Sequence, residues 1–336
     1  MKRAYLRRQI ARARERLRER MELRTSTPGW VGGPPRITTH HSTQRDPQLP
    51  HPAPLTFAER SWRGRSIVVE AVTGFIEAPV YVSPMIDLTD RVALITGAAG
   101  GIGAATARTI VGAGGHVVVH DVRSDGRLAA LAQELGDRAH AVAADLADPR
   151  AAAPLWLQAL DWRGRVDVLV NNAGIYEPAD PEGDLDAWTA AWERTLAVCL
   201  TTPATLCREA IRTFRAQGSG GIVINLASRA AFRGEDPEYW HYAAAKAGIV
   251  AVTRTIARQY GRDGITAFAV APGFVNTPFN DALVERYGLD FFAQDTGLGE
   301  VAGPQDLANV IAFLASGLAR HATGTTIDVN GASYVR

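Results

Sequence analysis

From residue 92 onward, short apolar runs alternate with longer amphipathic stretches, and few folds accommodate that order. Runs rich in Val, Ile and Ala at 92–95, 117–119, 141–144, 166–170, 222–226, 267–270 and 326–329 read as strands. The stretches at 102–111, 185–215, 239–260 and 304–315 carry helical patterns between them. Strands that are apolar throughout, rather than on alternate residues, need cover on both faces. Strand–helix alternation supplies that cover, so the expected architecture is α/β: a doubly wound (Rossmann-like) parallel sheet of about seven strands with helices on both faces. A hydrophobic share of 46% and a charged share of 21% suffice for such a core.

The first 84 residues differ in kind. They hold fifteen Lys/Arg against seven Asp/Glu, whereas the remainder holds twenty-one against twenty-eight. Residues 1–24 read as a basic helix, 25–65 as a Pro- and Gly-rich linker, and 66–84 as a broken apolar stretch. Three readings stand for this leader: a translation start at Met85, an amphipathic contact helix, or a targeting peptide. Residues 85–336 are then a single domain. Its mild acidity argues against nucleic acid as a partner. No apolar run approaches the roughly eighteen residues that span a bilayer. Cys199 and Cys207 lie eight apart on one expected helix, too far for a disulfide, which points to a reduced, cytoplasmic chain. No His and Cys occur at metal-ligand spacing.

A glycine-rich turn, Thr96-Gly97-Ala98-Ala99-Gly100-Gly101-Ile102-Gly103, joins the first strand to the first helix. In that position glycines let the backbone turn tightly and approach a pyrophosphate, which rests on the positive end of the helix. Asp121 ends the second strand, eighteen residues after Gly103. An acid there accepts hydrogen bonds from ribose hydroxyls and repels a 2′-phosphate, favouring NAD over NADP; Arg123 is near enough to blur the preference. Asp145-Leu146 closes the third strand and Asn171-Asn172-Ala173-Gly174 the fourth. Both face the crevice outside the strand carboxyl ends, where open α/β sheets bind ligands.

Ser228 is followed fourteen residues on by Tyr242-Ala-Ala-Ala-Lys246. Residues four apart share a helix face, so an ammonium can sit beside a phenol. A phenol ionises near pH 10 unaided, and a neighbouring cation moves it toward useful proton exchange. Lys246 is one of only two lysines, the other being Lys2. Tyr239 is an alternative phenol, but its residue at four on is Ala243.

With these motifs in this order the chain resembles the short-chain dehydrogenase/reductase family, in its compact single-domain branch, over roughly residues 86–336. The resemblance implies that Tyr242 is the general acid/base, that Lys246 lowers its pKa and binds the nicotinamide ribose, and that Ser228 polarises the substrate oxygen. It further implies that Thr96, Gly97, Gly101, Ile102 and Gly103 carry the pyrophosphate. Asp145 and Leu146 would lie near the adenine, Asn172, Ala173 and Gly174 would line the cleft, and Pro272, Gly273 and Thr277 would orient the carboxamide. One departure stands out: Cys199 occupies the place of the family's Asn, which supports a relay water, so the expectation is impaired but real catalysis. The stretch 278–300 would be a mobile lid, and its Phe279, Leu283, Tyr287, Leu289, Phe291 and Phe292 suggest an apolar or cyclic substrate, with Trp240 and Phe232 as further lining. Family members pair through the helices expected at 185–215 and 239–260, implying a homodimer or homotetramer. The resulting expectation is an NAD-dependent oxidoreductase acting on a secondary alcohol or ketone. The alternatives are an NADPH-dependent 3-ketoacyl reductase and a dinucleotide-binding regulator with impaired chemistry.

Overall fold

A computed structural model describes residues 86–122 and 126–336. The leader and Arg123 lie outside the described residues. Seven parallel strands form one sheet in the order β3-β2-β1-β4-β5-β6-β7. They are β1 Val92–Thr96, β2 His116–Asp121, β3 Ala139–Ala143, β4 Val168–Asn171, β5 Gly221–Leu226, β6 Ile265–Pro272 and β7 Thr326–Val329. The strand order reverses between β1 and β4, both of which pair with their neighbours in parallel register. That reversal opens the crevice beyond the carboxyl ends of the strands.

The pleat sorts side chains to two cores. Ala93 and Ile95 of β1 pack with α1 (Gly101–Gly112), α2 (Arg127–Leu135) and the late helix Pro304–Ala315. Leu94, between them, faces the opposite layer, with α3 (Ala152–Arg163) and the long helices described next.

The stretch expected as one helix over 185–215 is α4 (Leu185–Leu196), a π turn (Ala197–Thr201) and α5 (Thr202–Gln217). The cause is legible in Pro203. A regular helix would bond the N–H of residue 203 to the carbonyl of Cys199, and proline has no N–H to give. The wider turn absorbs that missing bond. After β5 come the short α6 (Ala230–Arg233) and the 21-residue α7 (Trp240–Tyr260). After β6 come α8 (Asp281–Tyr287), α9 (Leu289–Ala293) and α10 (Pro304–Ala315). Among the described residues no helix is long and apolar enough to cross a membrane.

Candidate active site

The glycine turn is a cradle that side chains would fill. Gly97 has φ +66, and a Cβ there would meet the Ala173 Cα at 2.8 Å. A Cβ on Gly103 would meet the Gly97 carbonyl oxygen at 2.3 Å and Asn172 Nδ2 at 2.8 Å. Gly101 has φ +54 and faces the Thr277 methyl, which a Cβ would meet at 3.1 Å. Helix α1 starts from this turn with no side-chain cap and no acid in its first turn. Its first amides and its dipole therefore point at the crevice, the arrangement that receives a phosphate anion.

Thr96 and Asn172 stitch the turn to the end of β4. The Thr96 hydroxyl accepts from the amides of Asn172 and Ala173 at 3.0 and 3.1 Å. Asn172 Nδ2 donates to the carbonyls of Thr96 and Gly97, both at 2.9 Å. Asp121 stands at the tip of β2, its carboxylate accepting from the amides of Ala99 (3.1 Å) and Val122 (2.9 Å). Asp145 accepts from Ala147 at 2.9 Å, and the buried Leu146 gives its carbonyl to Thr202 Oγ1 at 2.8 Å. On the far side, Gly273 permits a close approach to Asn330, whose Cα lies 2.9 Å from where a Cβ would be. Its neighbour Pro272 ends β6, and Thr277 is buried.

Ser228, Tyr242 and Lys246 converge at the other half of the crevice. Ser228 is buried beyond the end of β5, its Oγ accepting from the Ala230 amide at 3.1 Å. Lys246, also buried, commits one of its three N–H bonds to the Leu226 carbonyl at 2.7 Å. Its Nζ lies 5.6 Å from the centre of the Tyr242 ring. The expectation that Lys246 acidifies Tyr242 meets a stronger opposing effect. Burial pushes the Tyr242 phenol well above its ordinary range, helped by Cys199 and Glu235, while its hydrogen bond with Ser228 acts in the other direction. Burial likewise lowers the Lys246 pKa. Low dielectric penalises both charged forms, and the phenol keeps its proton.

Cys199 sits in the π turn, buried against Tyr242 and Ala245. Its thiol faces the strand that leaves β4, with Ile175 N at 3.5 Å and Ile175 O at 3.7 Å from Sγ. A Cβ on Gly174 would stand 3.7 Å from both Cys199 Sγ and Lys246 Nζ, so glycine leaves the space they share.

Several participants escape sequence reasoning. Asn171 Nδ2 donates to Asn225 Oδ1 (2.8 Å), and Asn225 Nδ2 to Thr253 Oγ1 (2.9 Å), which ties α7 and its Tyr242 and Lys246 to the sheet. The signal available for Asn225 is a polar residue inside an apolar strand. Tyr176 stacks on Tyr239 at 3.9 Å and meets Tyr242 edge-on at 4.9 Å. Arg229, buried next to Ser228, pairs with Asp295 at 2.7 Å and so reaches the end of the 278–300 segment. Within that segment Phe292 stacks on Phe274 at 3.6 Å, and Phe279 lies 6.4 Å from Tyr176. Trp240 and Phe232 do not join this wall. Trp240 is 53% exposed and faces Trp188, while Phe232 lies beneath Arg336 at 3.9 Å.

Residues 97–332 match the family model described as enoyl-(acyl carrier protein) reductase. The chain is 40% identical over 243 residues to cis-4-hydroxycyclohexanecarboxylate dehydrogenase of Sinomonas cyclohexanicum, covering 72% of this chain and 96% of the relative. It superposes on a short-chain dehydrogenase/reductase of the glucose/ribitol dehydrogenase type from Brucella melitensis with TM-score 0.67 and 32% identity, over 75% of this chain and 99% of that one. It also superposes on the 3-ketoacyl-(acyl-carrier-protein) reductase of Brucella melitensis, solved with NADH, with TM-score 0.67 and 31% identity, over 74% and 100%. With a parallel sheet that reverses at β1/β4, a glycine cradle, and a Ser, a Tyr and a Lys gathered across the crevice, the chain belongs to the short-chain dehydrogenase/reductase family, oxidoreductases that use a nicotinamide dinucleotide to act on CH–OH groups.

Proposed function

We propose that the chain is an NAD-dependent dehydrogenase/reductase acting on a secondary alcohol or ketone carried by an apolar or cyclic framework. The observation that carries this is the meeting of Tyr242 with Ser228 and Lys246 at the strand ends, with Lys246 Nζ 5.6 Å from the centre of the Tyr242 ring. Tyr242 is the general acid in reduction, giving its proton to the carbonyl oxygen, and the general base in oxidation. Ser228 holds that oxygen, and Lys246, fixed by Leu226, offers its remaining N–H bonds to the ribose. A nicotinamide dinucleotide held in this crevice would supply or accept the hydride. Thr96, Gly97, Gly101, Ile102 and Gly103 would hold its pyrophosphate, Asp145 and Leu146 would lie at its adenine, and Asn172, Ala173 and Gly174 would form the cleft floor. Pro272, Gly273 and Thr277 would hold the carboxamide.

Asp121 supports NAD, because hydrogen bonds from Ala99 and Val122 fix a carboxylate where a 2′-phosphate would need room and positive charge. The rival 3-ketoacyl reductase reading draws on the similarity to the Brucella enzyme, itself solved with NADH. Both are tested by following the reduced nicotinamide band across an alcohol and ketone panel with each dinucleotide. Turnover is expected with a lower KM for NADH than NADPH. Tyr242→Phe is expected to lower kcat by about 10²–10⁴-fold with dinucleotide affinity kept; a variant as fast as the parent refutes the assignment.

Residues 85–336 make up the catalytic domain in this reading. A homodimer or homotetramer through α4, α5 and α7 is supported by the aromatic face of Trp188, Trp192 and the exposed Trp240. A cytoplasmic setting is supported by two free, buried cysteines.

A further inference from the structure

The segments that follow β4, β5 and β6 form the rim of the cleft in front of Tyr242. Residues 175–184 carry four carboxylates and no Lys or Arg. Residues 229–238 carry three against two arginines, and residues 277–300 carry five against one. The three guanidiniums are already engaged. Arg229 is held on Asp295 at 2.7 Å, and Arg233 lies between Asp295 (3.5 Å) and Glu235 (3.8 Å). Arg286 lies over the Tyr287 ring at 5.0 Å. Glu177 is paired in turn with Arg194 at 3.7 Å. The rim keeps an excess of carboxylates over guanidiniums, and an excess of one sign along a cleft focuses its field on whatever enters.

Inside this rim the surface beside the reacting phenol is aromatic. Tyr176 is parallel to Tyr239 at 3.9 Å and 4°, perpendicular to Tyr242 at 4.9 Å and 85°, and 6.4 Å from Phe279. Tyr176 thus bridges the reacting phenol and the lid. A substrate whose oxygen sits at the Tyr242 hydroxyl has Tyr176 as its neighbour. The faces of half-buried rings of this kind attract apolar rings and cations through dispersion and the ring quadrupole, and the same quadrupole repels an anion from the face.

We propose that Tyr176 is a specificity residue and that, with the carboxylate rim, it selects an uncharged or cationic ring-bearing alcohol or ketone over free carboxylates and phosphate-bearing acyl thioesters. The inference rests on the dehydrogenase reading above and narrows its substrate class.

The test is steady-state kinetics of the full chain, at low ionic strength, on cyclohexanol, 4-aminocyclohexanol, 4-hydroxycyclohexanecarboxylate and 2-butanol. The carboxylate is expected to show kcat/KM at least about tenfold below cyclohexanol, a gap that added salt narrows by screening. Tyr176→Ala is expected to raise KM for cyclohexanol about tenfold while 2-butanol changes less than about twofold. Tyr176→Leu, which removes the ring but keeps an apolar side chain, should show the same selective loss and guards against a folding defect in the alanine variant. Turnover of the carboxylate as good as that of cyclohexanol overturns the inference and leaves the dehydrogenase reading standing, as does equal loss on cyclic and acyclic alcohols in both variants. No turnover of any alcohol or of the matching ketones overturns the dehydrogenase reading, and the inference with it.

Discussion

Burial raises the Tyr242 phenol above its ordinary range against the hydrogen bond from Ser228, and the pH dependence of the reaction follows from that direction. The acid form serves reduction, so reduction is expected to hold its rate through neutral pH and decline only on the alkaline side, while oxidation rises with pH over the same range. Cys199 is the residue where chemistry and packing pull apart. Its thiol rests on the Ile175 backbone and offers little hydrogen bonding, yet Pro203 leaves its carbonyl without the usual helical donor. Cys199→Asn is expected to raise kcat by up to about tenfold, a small part of what a complete proton-transfer group contributes. A parent inactive on the whole panel beside an active Asn variant would show that the native chain lacks competence.

At the scale of elements, the turn between β1 and α1 leaves no room for a side chain at Gly97 or Gly103. Gly103→Ala places a methyl group 2.3 Å from the Gly97 carbonyl and 2.8 Å from Asn172 Nδ2, which also holds the end of β4. A loss of about 1–3 kcal/mol in denaturant unfolding is expected, with weaker dinucleotide binding. Gly112→Ala, at the other end of the same helix with nothing within 4 Å of its Cβ, is the control and should change stability by less than about 1 kcal/mol. The π turn shows how one proline reshapes an element. Helical periodicity continues across 185–215, so a pattern of apolar residues reads as one helix; the backbone bond that Pro203 cannot make is what interrupts it.

Across the whole molecule, His116, His120 and His241 all have lowered pKa values, with burial the leading cause in each. His120 is buried, with Nε2 at 3.0 Å from the Ala144 carbonyl and Nδ1 enclosed without a hydrogen-bond partner. The unfolded chain takes up protons near pH 6.5, whereas the folded chain resists until lower pH, so the unfolded state binds more protons in between. This contribution to stability is complete above about pH 6.5 and is lost as pH falls through the lowered folded values. The melting temperature is therefore expected to drop between pH 7.5 and about pH 5. His120→Gln should flatten that dependence, and an unchanged slope would remove His120 from the account.

The sequence by itself determined the sheet and its seven strands, because strands buried on both faces must be apolar and helices must lie between them. It also placed Ser228, Tyr242 and Lys246 as candidates, since a four-residue spacing fixes which side chains share a helix face. It missed Tyr176, Asn225 and the Arg229–Asp295 pair, whose partners lie 63, 54 and 66 residues away in the chain. Only the tertiary structure brought those groups together. It also decided the direction in which the Tyr242 phenol is shifted, because desolvation depends on everything packed around a group and spacing along one helix does not report it.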